Sequence, residues 1–253
     1  MNVIGLEAFT DNYIWTIVNE QTHSASCVDP GEAQPVLEYL KKNKLHLDAI
    51  FLTHHHPDHI GGVTELLKFY PKTIIYAPKD PRIPYTYTPI KEEQIIHIDS
   101  HDFRVLNIPG HTSTHVCYQE PIKRWLFCGD TLFSAGCGRV FDGTYEQLFH
   151  SLNLLKKLPQ DTQIFCGHEY TKKNLLFAQT VEPGNPAIEE YLNYLEKSSI
   201  KCSLPSTIGL EKKINPFLRT DHETLKDFAE IQGIDSKDSF AIFKKLRELK
   251  DNF

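Results

Sequence analysis

Imidazole and carboxylate side chains crowd residues 52–62, which read LTHHHPDHIGG and begin at the last residue of the apolar run 49–52. In an extended chain His54 and His56 point the same way, because side chains alternate with period two. Asp58 and His59 follow where a helix is expected to begin, so one short loop can direct three imidazoles and a carboxylate at a common point. Such nitrogen and oxygen donors suit zinc, iron or manganese, and the lack of cysteine argues against a closed structural zinc site.

Three more candidate ligands each follow an apolar strand and lie next to a glycine. His111 follows VLNIPG, Asp130 follows WLFCG, and His168 follows IFCG. We expect these strand ends to converge on one sheet edge, where glycine lets the backbone approach a metal closely. Seven ligands exceed what one four- or five-coordinate metal needs and fit two divalent metals that share a carboxylate. The seven are His54, His56, Asp58, His59, His111, Asp130 and His168.

Simpler explanations of these histidines exist. A solvated histidine-rich loop would account for an isolated H-x-H motif, and a lone histidine after a strand is commonly a core residue. The repeated arrangement of strand, glycine and ligand favours a metal site over both. Of the histidines outside the seven, His115 is the one for which we expect a supporting role beside the metals.

Composition and charge limit the range of functions. The chain has 253 residues, 40% of them hydrophobic, and a net charge of −6. It can therefore bury a sizeable core, and we expect no nucleic-acid partner. The sequence shows neither a signal peptide nor an apolar run of about 18 residues, which predicts a cytoplasmic protein with no membrane partner. Its six widely spaced cysteines predict reduced thiols, and nothing demands an oligomer, so we expect a monomer.

Hydrophobic periodicity predicts the elements that position the ligands. Strands are expected over 3–9, 13–18, 25–28, 48–53, 73–77, 94–98, 103–108, 116–119, 125–128 and 163–166. Helices are expected over a segment that begins near 36 and ends near 45, and over 63–70 and 145–158. After Tyr170 the pattern becomes helical, over 175–181, 186–195, 223–231 and 239–249. We therefore predict a catalytic domain at 1–170 and a helical, substrate-binding domain at 171–253.

The motifs LTHHHPDHIGG, IPGHTSTH, FCGDTLF and FCGHEY, in this order, closely resemble the metallo-β-lactamase superfamily. Within it, FTDNYIW, SAGCGRVFDGT, NPFLR and RELKDNF make the chain similar to the glyoxalase II (hydroxyacylglutathione hydrolase) family over essentially its whole length. The resemblance implies an α+β fold, the αββα metallo-β-lactamase sandwich, with a C-terminal all-helical domain. The implied ligand sets are His54, His56 and His111 for one metal, Asp58, His59 and His168 for the other, and Asp130 between them.

The resemblance also implies a reaction, the hydrolysis of an S-2-hydroxyacyl-glutathione thioester. S-D-lactoylglutathione would give D-lactate and glutathione, the second step of methylglyoxal detoxification. A hydroxide between two divalent ions, zinc in the first place or else iron or manganese, would attack the thioester carbonyl. Asp58 and Asp130 are the implied catalytic carboxylates. The implied glutathione contacts are Arg139, Phe141, Tyr170, Arg247 and Lys250.

Two positions depart from the family pattern, and the C-terminal segment fits it. Thr114 stands where glycine is common, and Phe141 stands where some members have tyrosine and its hydroxyl. The last helix is expected to dock through Ile242, Leu246 and other apolar residues, which leaves Arg247 and Lys250 at the edge of the site.

Three other functions fit part of the pattern. A persulfide dioxygenase-like enzyme would use one iron and part of the ligand set, and would not obviously need the helical domain. A nuclease of the superfamily shares the histidine motif, but the acidic main domain disfavours it. A non-catalytic metal-binding module would explain the ligands but not an open site with a basic pocket.

Overall fold

Two six-stranded mixed β-sheets form the centre of the computed structural model, which describes residues 1–198 and 200–253. The first sheet has, in spatial order, β1 (Asn2–Ala8), β2 (Asn12–Asn19), β3 (Ser24–Val28), β4 (His46–Phe51), β5 (Ile74–Pro78) and β6 (Thr88–Ile90). The second contains β7 (Ile95–Ile98), β8 (His101–Asn107), β9 (Val116–Glu120) and β10 (Trp125–Gly129), and then β13 (Gln163–Cys166) and β14 (Ser206–Thr207). A separate hairpin consists of β11 (Leu132–Phe133) and β12 (Gly136–Cys137).

Helices pack against the sheets and, in the C-terminal part, against one another. They are α1 (Gln34–Asn43), α2 (Pro57–Ile60), α3 (Val63–Phe69), α4 (Tyr145–Leu155), α5 (Thr171–Val181), α6 (Pro186–Lys197), α7 (Ile208–Ile214), α8 (Glu223–Ile231) and α9 (Ser239–Asp251). Apolar residues of α1 and α3 share a buried cluster with the first sheet. Residues of α4 and α9 join a larger cluster that includes both sheets. The predicted fold class, an αββα sandwich followed by a helical C-terminal part, is confirmed.

Alternation along β2 shows how one strand serves two layers. Tyr13 and Trp15 belong to the cluster shared by the sheets, whereas Ile14 and Val18 belong to the cluster under α1 and α3. Trp15 packs edge-on against Phe165 of the second sheet, with ring centroids 5.0 Å apart. Because both faces of β2 are covered, nearly the whole strand is buried, and the sheets are held rigidly enough to fix the loops at their edge.

The C-terminal part departs from a purely helical pattern at one point. Strand β14, which the sequence analysis did not predict, pairs antiparallel with β13 through Ser206 and Thr207. Two residues are too few to show a periodicity of two. Thr207 also caps α7 by accepting from the backbone N–H of Leu210. The six cysteines are free thiols, as predicted. In residues 1–198 and 200–253, no helix combines the length and the apolar character that a membrane crossing requires.

Candidate metal centre and substrate cavity

The histidine-rich loop lies at the carboxyl end of β4, where the chain leaves the first sheet and enters α2. His56 has an extended backbone and precedes Pro57, which takes the first position of α2. Thr53 anchors the loop, since its backbone N–H and its hydroxyl both donate to Asp29, at 2.7 and 2.6 Å. His54, the next residue, is fully buried. Hydrogen bonding and burial therefore fix the loop before any ligand is considered.

Three imidazoles form the first group of donors. His56 Nδ1 lies 3.0 Å from His54 Nε2 and 3.1 Å from His111 Nε2. Each residue offers one ligand atom within 4.8 Å of the other two. His111 comes from 55 positions further along the chain, from the loop after β8, so the fold brings this predicted set together.

A carboxylate and two imidazoles form the second group. Oδ2 of Asp58 lies 3.5 Å from His59 Nε2 and 3.4 Å from His168 Nε2. One ligand atom of each of these three residues also lies within 4.8 Å of those of the other two, close enough to share a cation. His168 follows β13 in the second sheet, so both sheets contribute to the site.

Asp130 lies between the two groups. Its Oδ2 atom is 3.6 Å from His111 Nε2 and 3.2 Å from His168 Nε2. Its Oδ1 atom is 3.4 Å from His59 Nε2. One carboxylate therefore reaches imidazoles of both groups, which is the arrangement expected of a ligand shared by two cations.

Two carboxylates that the sequence analysis missed orient the second group. His59 Nδ1 donates to Asp29 Oδ2 at 3.0 Å, and His168 Nδ1 donates to Asp11 Oδ1 at 2.8 Å. Such bonds fix the tautomer of a histidine and raise its basicity as a ligand. Asp29 begins the sequence DPG, which is typical of a turn, and no spacing rule connects Asp11 with a residue 157 positions away.

Two imidazoles of the first group, His54 and His111, are also held through their Nδ1 atoms. His111 donates to the carbonyl of Arg139 at 2.7 Å. His54 donates to Thr53 Oγ1 at 2.9 Å, because the hydroxyl proton of Thr53 goes to Asp29. His115, for which a supporting role was expected, accepts the backbone N–H of Asp130 at 3.2 Å. His54 and His111 therefore present Nε2 to the site, whereas His56 presents Nδ1.

The charge state of the site suits cations. Burial lowers the pKa of His54 well below its usual value and, with the neighbouring His111, lowers that of His56 to about 4, so both rings keep a free lone pair. Burial opposes ionisation of Asp130, but the positive charges of His59 and His168 outweigh it and hold its pKa well below the usual range. Within the described residues, the buried atoms His59 Nε2 and Asp130 Oδ1 have no hydrogen-bond partner. The unprotonated rings of His54 and His56 beside an ionised carboxylate fit a divalent metal ion, and a second ion would take the place of the protons on His59 and His168.

Glycine is required beside the ligands. A Cβ atom on Gly167 would lie 2.5 Å from Asp130 Oδ1 and 2.8 Å from a ring carbon of His59. Gly129 has a φ of +48°, in the left-handed region, and a Cβ there would lie 2.4 Å from the hydroxyl of Thr53. The sequence argument that glycine lets the backbone crowd the site is therefore correct at both positions.

A cavity of about 530 Å³ opens from the donor groups toward the C-terminal helices. The ring of Phe141 stands edge-on to His56 and His111, and Tyr170 stacks on His168 with centroids 4.7 Å apart. All five residues that the resemblance assigned to glutathione line this cavity, and they are joined by a cation that it did not assign, Lys173. The five are Arg139, Phe141, Tyr170, Arg247 and Lys250.

Two of the cavity arginines share one carboxylate. Asp251 Oδ1 lies 3.2 Å from Arg139 Nε and 3.0 Å from Arg247 Nη2. Arg247 is only 4% exposed, and its Nη1 donates to the carbonyl of Cys137 at 2.7 Å. This guanidinium therefore joins α9 to the β11–β12 hairpin besides facing the cavity.

A polar network ties together three loops around the first donor group. Buried Asp80 accepts from Arg82 Nη2 at 2.7 Å and from the hydroxyl of Thr114 at 2.5 Å. Arg82 also pairs with Asp142 at 2.6 Å, and Asp142 accepts from the hydroxyl of Ser113. Thr114, noted as a departure from the family pattern, is thus part of the structure that holds the His111 loop.

The chain is similar to known proteins over essentially its whole length. Residues 25–168 match the metallo-β-lactamase superfamily, and residues 169–253 match the hydroxyacylglutathione hydrolase C-terminus. A hydroxyacylglutathione hydrolase of Legionella pneumophila (strain Corby) is 52% identical over 253 residues, 100% of both chains. One of Vibrio parahaemolyticus serotype O3:K6 is 46% identical over 257 residues, again 100% of both.

Solved structures show the same fold at lower identity. ETHE1 from Myxococcus xanthus superposes with a TM-score of 0.69 at 22% identity, covering 98% of this chain and 90% of its own. The B3 metallo-β-lactamase BLEG-1 gives a TM-score of 0.65 at 25% identity, covering 86% of this chain and 99% of its own. The αββα sandwich is common to all three chains.

Proposed function

The chain belongs to the hydroxyacylglutathione hydrolase family of the metallo-β-lactamase superfamily, and on that premise we propose how its residues bind and cleave a thioester. The enzyme hydrolyses S-2-hydroxyacyl-glutathione. In this reaction the carbonyl carbon of the acyl group loses its bond to sulfur and gains one to the oxygen of water. S-D-lactoylglutathione thus gives D-lactate and glutathione, whose sulfur takes up a proton.

One observation carries the proposal: a single cavity joins the His/Asp donor groups to a set of cations. The cations suit the carboxylates of a peptide, and the donors suit hydrolysis. The full-length matches and the helical C-terminal part favour this activity over a mononuclear dioxygenase and over a non-catalytic metal-binding module. We propose that residues 1–170 supply the catalytic groups and residues 171–253 much of the wall that binds glutathione.

The donor groups would hold two divalent cations per chain, one by each group, with Asp130 between them. We propose zinc in the first place, with iron or manganese as ions that the same nitrogen and oxygen donors accept. Bound cations of this kind make water lose a proton more readily and stabilise negative charge that develops on oxygen.

Asp58 and Asp130 are the catalytic carboxylates of the proposal. Burial works against ionisation of Asp58, but hydrogen bonds from His168 and Asn12 and the charge of His59 hold its pKa well below the usual range. Both carboxylates therefore remain ionised at neutral pH and can accept a hydrogen bond from the attacking water. They orient the water toward the thioester carbonyl.

The leaving group needs little help from the protein. A thiol has a pKa of about 8.5, so its thiolate departs far more readily than an amine would. Ser134 is not a free nucleophile, because its hydroxyl donates to Glu211 at 2.9 Å. Burial raises the pKa of Cys137 to about 11, so its thiol stays protonated. Water is therefore the attacking species that the residues support.

The glutathione part would extend along the cavity away from the donor groups. Tyr170 offers a hydroxyl, Phe141 an apolar wall beside His56, and Arg247 and Lys250 positive charge for the carboxylates of glutathione. These contacts touch a part of the substrate that does not change in the reaction. They should therefore contribute mainly to KM.

The test is a hydrolysis assay with S-D-lactoylglutathione in which thioester loss, thiol release and bound metal are measured on one sample. We expect stoichiometric thiol release and much lower kcat/KM for acetyl-CoA and for a penicillin. Comparable kcat/KM on either of these compounds would contradict the proposed specificity. Absence of thiol release from metal-loaded protein would contradict the activity itself.

A further inference from the structure

Lys173 is a cation of the cavity wall with no assigned role. It lies in the first turn of α5, three residues after Tyr170, and lines the cavity together with Lys250. We propose that Lys173 and Lys250 together bind one carboxylate of the glutathione moiety, which makes Lys173 a specificity-determining residue of this enzyme. The inference rests on the proposed function and adds a residue to it.

The distribution of ion pairs separates the two lysines from the other cavity cations. Arg139 and Arg247 share the carboxylate of Asp251. In residues 1–198 and 200–253, no carboxylate lies within 4.0 Å of the ammonium group of Lys173 or Lys250. The neighbouring Lys172 differs, because its Nζ lies 3.9 Å from Glu196. The charges of the lysine pair are therefore free to bind an anionic ligand in the cavity.

The placement of Lys173 does not serve the helix that carries it. The amino end of a helix is its positive end, and cations there are unfavourable. The first turn of α5 holds Lys172 and Lys173 and no acidic residue. The same turn is firmly anchored, since Asn174 donates to the carbonyl of Ser134 at 3.0 Å. Lys173 is thus held at the cavity although the positive end of the helix repels its ammonium group. A bound anion would offset this repulsion.

Lys250 is fixed in place without being neutralised. Its Nζ atom lies 4.9 Å from the ring centroid of Phe253 and 5.4 Å from that of Phe177. Aromatic faces hold an ammonium group while leaving its charge intact. Burial, and then the positive charge of Lys173, lowers the pKa of Lys250 to about 8. The two ammonium groups therefore repel each other, and a carboxylate between them would relieve the repulsion.

Glutathione supplies the right chemistry for this pair. It carries two carboxylates, on its glycyl and γ-glutamyl residues, so a second set of cations beside Arg139 and Arg247 has a partner in the same molecule. Charge-assisted hydrogen bonds to carboxylate are among the stronger polar contacts.

The experiment measures binding of S-methylglutathione, which has no thioester to hydrolyse, to the metal-loaded enzyme by calorimetry. Lys173→Gln should raise Kd about five- to twentyfold, near the lower end of the range for losing one hydrogen bond to a charged group, because Lys173 is exposed to solvent. Lys172→Gln, its neighbour outside the cavity lining, should stay within about twofold. Equal Kd values for the two variants would overturn the inference.

Monoesters of S-methylglutathione then identify the carboxylate. One of the two esters blocks the carboxylate that Lys173 binds, and Lys173→Gln should bind this ester as tightly as the wild-type enzyme does. For the other ester, the affinity of Lys173→Gln should remain lower than that of the wild type. A loss that persists on both esters would show that Lys173 acts on the fold instead and would overturn the inference. Wild-type hydrolysis of S-D-lactoylglutathione, assayed in parallel, tests the activity separately, since it does not depend on Lys173.

Discussion

Asp29 and His59 are joined by a buried hydrogen bond in which Nδ1 of the ring donates to Oδ2 of the carboxylate at 3.0 Å. The same carboxylate accepts the backbone N–H and the hydroxyl of Thr53. These three bonds fix the orientation of the Asp29 carboxylate. The ring of His59 can then present only Nε2 to Asp58 and Asp130. A residue of the DPG turn thus sets the geometry of a donor 30 positions later.

Asp29→Asn should therefore weaken cation binding without removing a ligand. An amide in this position cannot accept all three bonds, and loss of such an orienting contact typically costs about 10- to 100-fold in metal affinity. Competition with a chromophoric chelator measures the affinity. Asp48→Asn is the control, because Asp48 pairs with His46 at 3.0 Å on the surface. The metal affinity of this variant should match that of the wild type.

A second variant guards against misfolding of the first. Asp11→Ala removes the corresponding contact to His168 from a partly exposed residue, so its effect on folding should be small. We expect a loss of affinity of similar direction. Wild-type affinity in both variants would show that these carboxylates do not orient the donors.

The position of Asp130 between the two donor groups predicts two cations per chain. Elemental analysis of the purified wild type should approach two. Asp130→Asn keeps the shape of the side chain but removes the charge that both cations would share, so at least one ion should be lost. We expect kcat to fall roughly 10³-fold or more. A variant with two ions and near-normal turnover would contradict the shared carboxylate.

The donor atoms were predictable from sequence because each lies at a strand end within a compact motif. Three of them, His111, Asp130 and His168, follow apolar strands and lie next to glycine. This local pattern can be recognised without knowledge of the fold. Asp11 and Asp29 were missed because their partners are distant in sequence and meet them only through sheet pairing. Lys173 was missed because a lysine in a helical segment ordinarily faces solvent, and only the cavity distinguishes it from Lys172.

The fold shows the same limit. Long, strongly periodic elements such as α4 and α9 appear close to their predicted bounds. Strand β14 and helix α7 were not predicted, since both are short and are held by tertiary contacts. Buried Glu211 of α7, for example, accepts from Ser134 and from the backbone of Ala135, and thereby ties α7 to the β11–β12 hairpin.

Arg82→Met should destabilise the protein through the network around the His111 loop. The change leaves buried Asp80 without its guanidinium partner and frees Asp142. Because Arg82 is itself partly exposed, we expect a loss of about 1–3 kcal/mol in the free energy of unfolding. Urea denaturation measures it. Arg104→Met removes an exposed pair with Glu93 and should cost about 0–1 kcal/mol. Equal losses in the two variants would show that the network adds nothing beyond a surface ion pair.

The pKa of Lys250 predicts how glutathione binding depends on pH. Burial first, and then the charges of Lys173 and Arg247, lowers this pKa to about 8. Lys250 is therefore charged below pH 8 and loses its charge above it, so Kd for S-methylglutathione should rise as pH increases through about 8. Lys250→Arg keeps its charge throughout and should flatten the profile, which separates the effect from titration of the ligand's own amino group.

Lys173→Gln supplies the second arm of this test. Removing the neighbouring positive charge should raise the pKa of Lys250, because one of the two repelling cations is gone. The increase in Kd should then occur at higher pH than in the wild type, although the affinity at neutral pH is lower. The test is to measure Kd by calorimetry between about pH 6.5 and 9.5 for the wild type, Lys250→Arg and Lys173→Gln. Identical profiles for the wild type and Lys250→Arg would show that Lys250 does not titrate in this range.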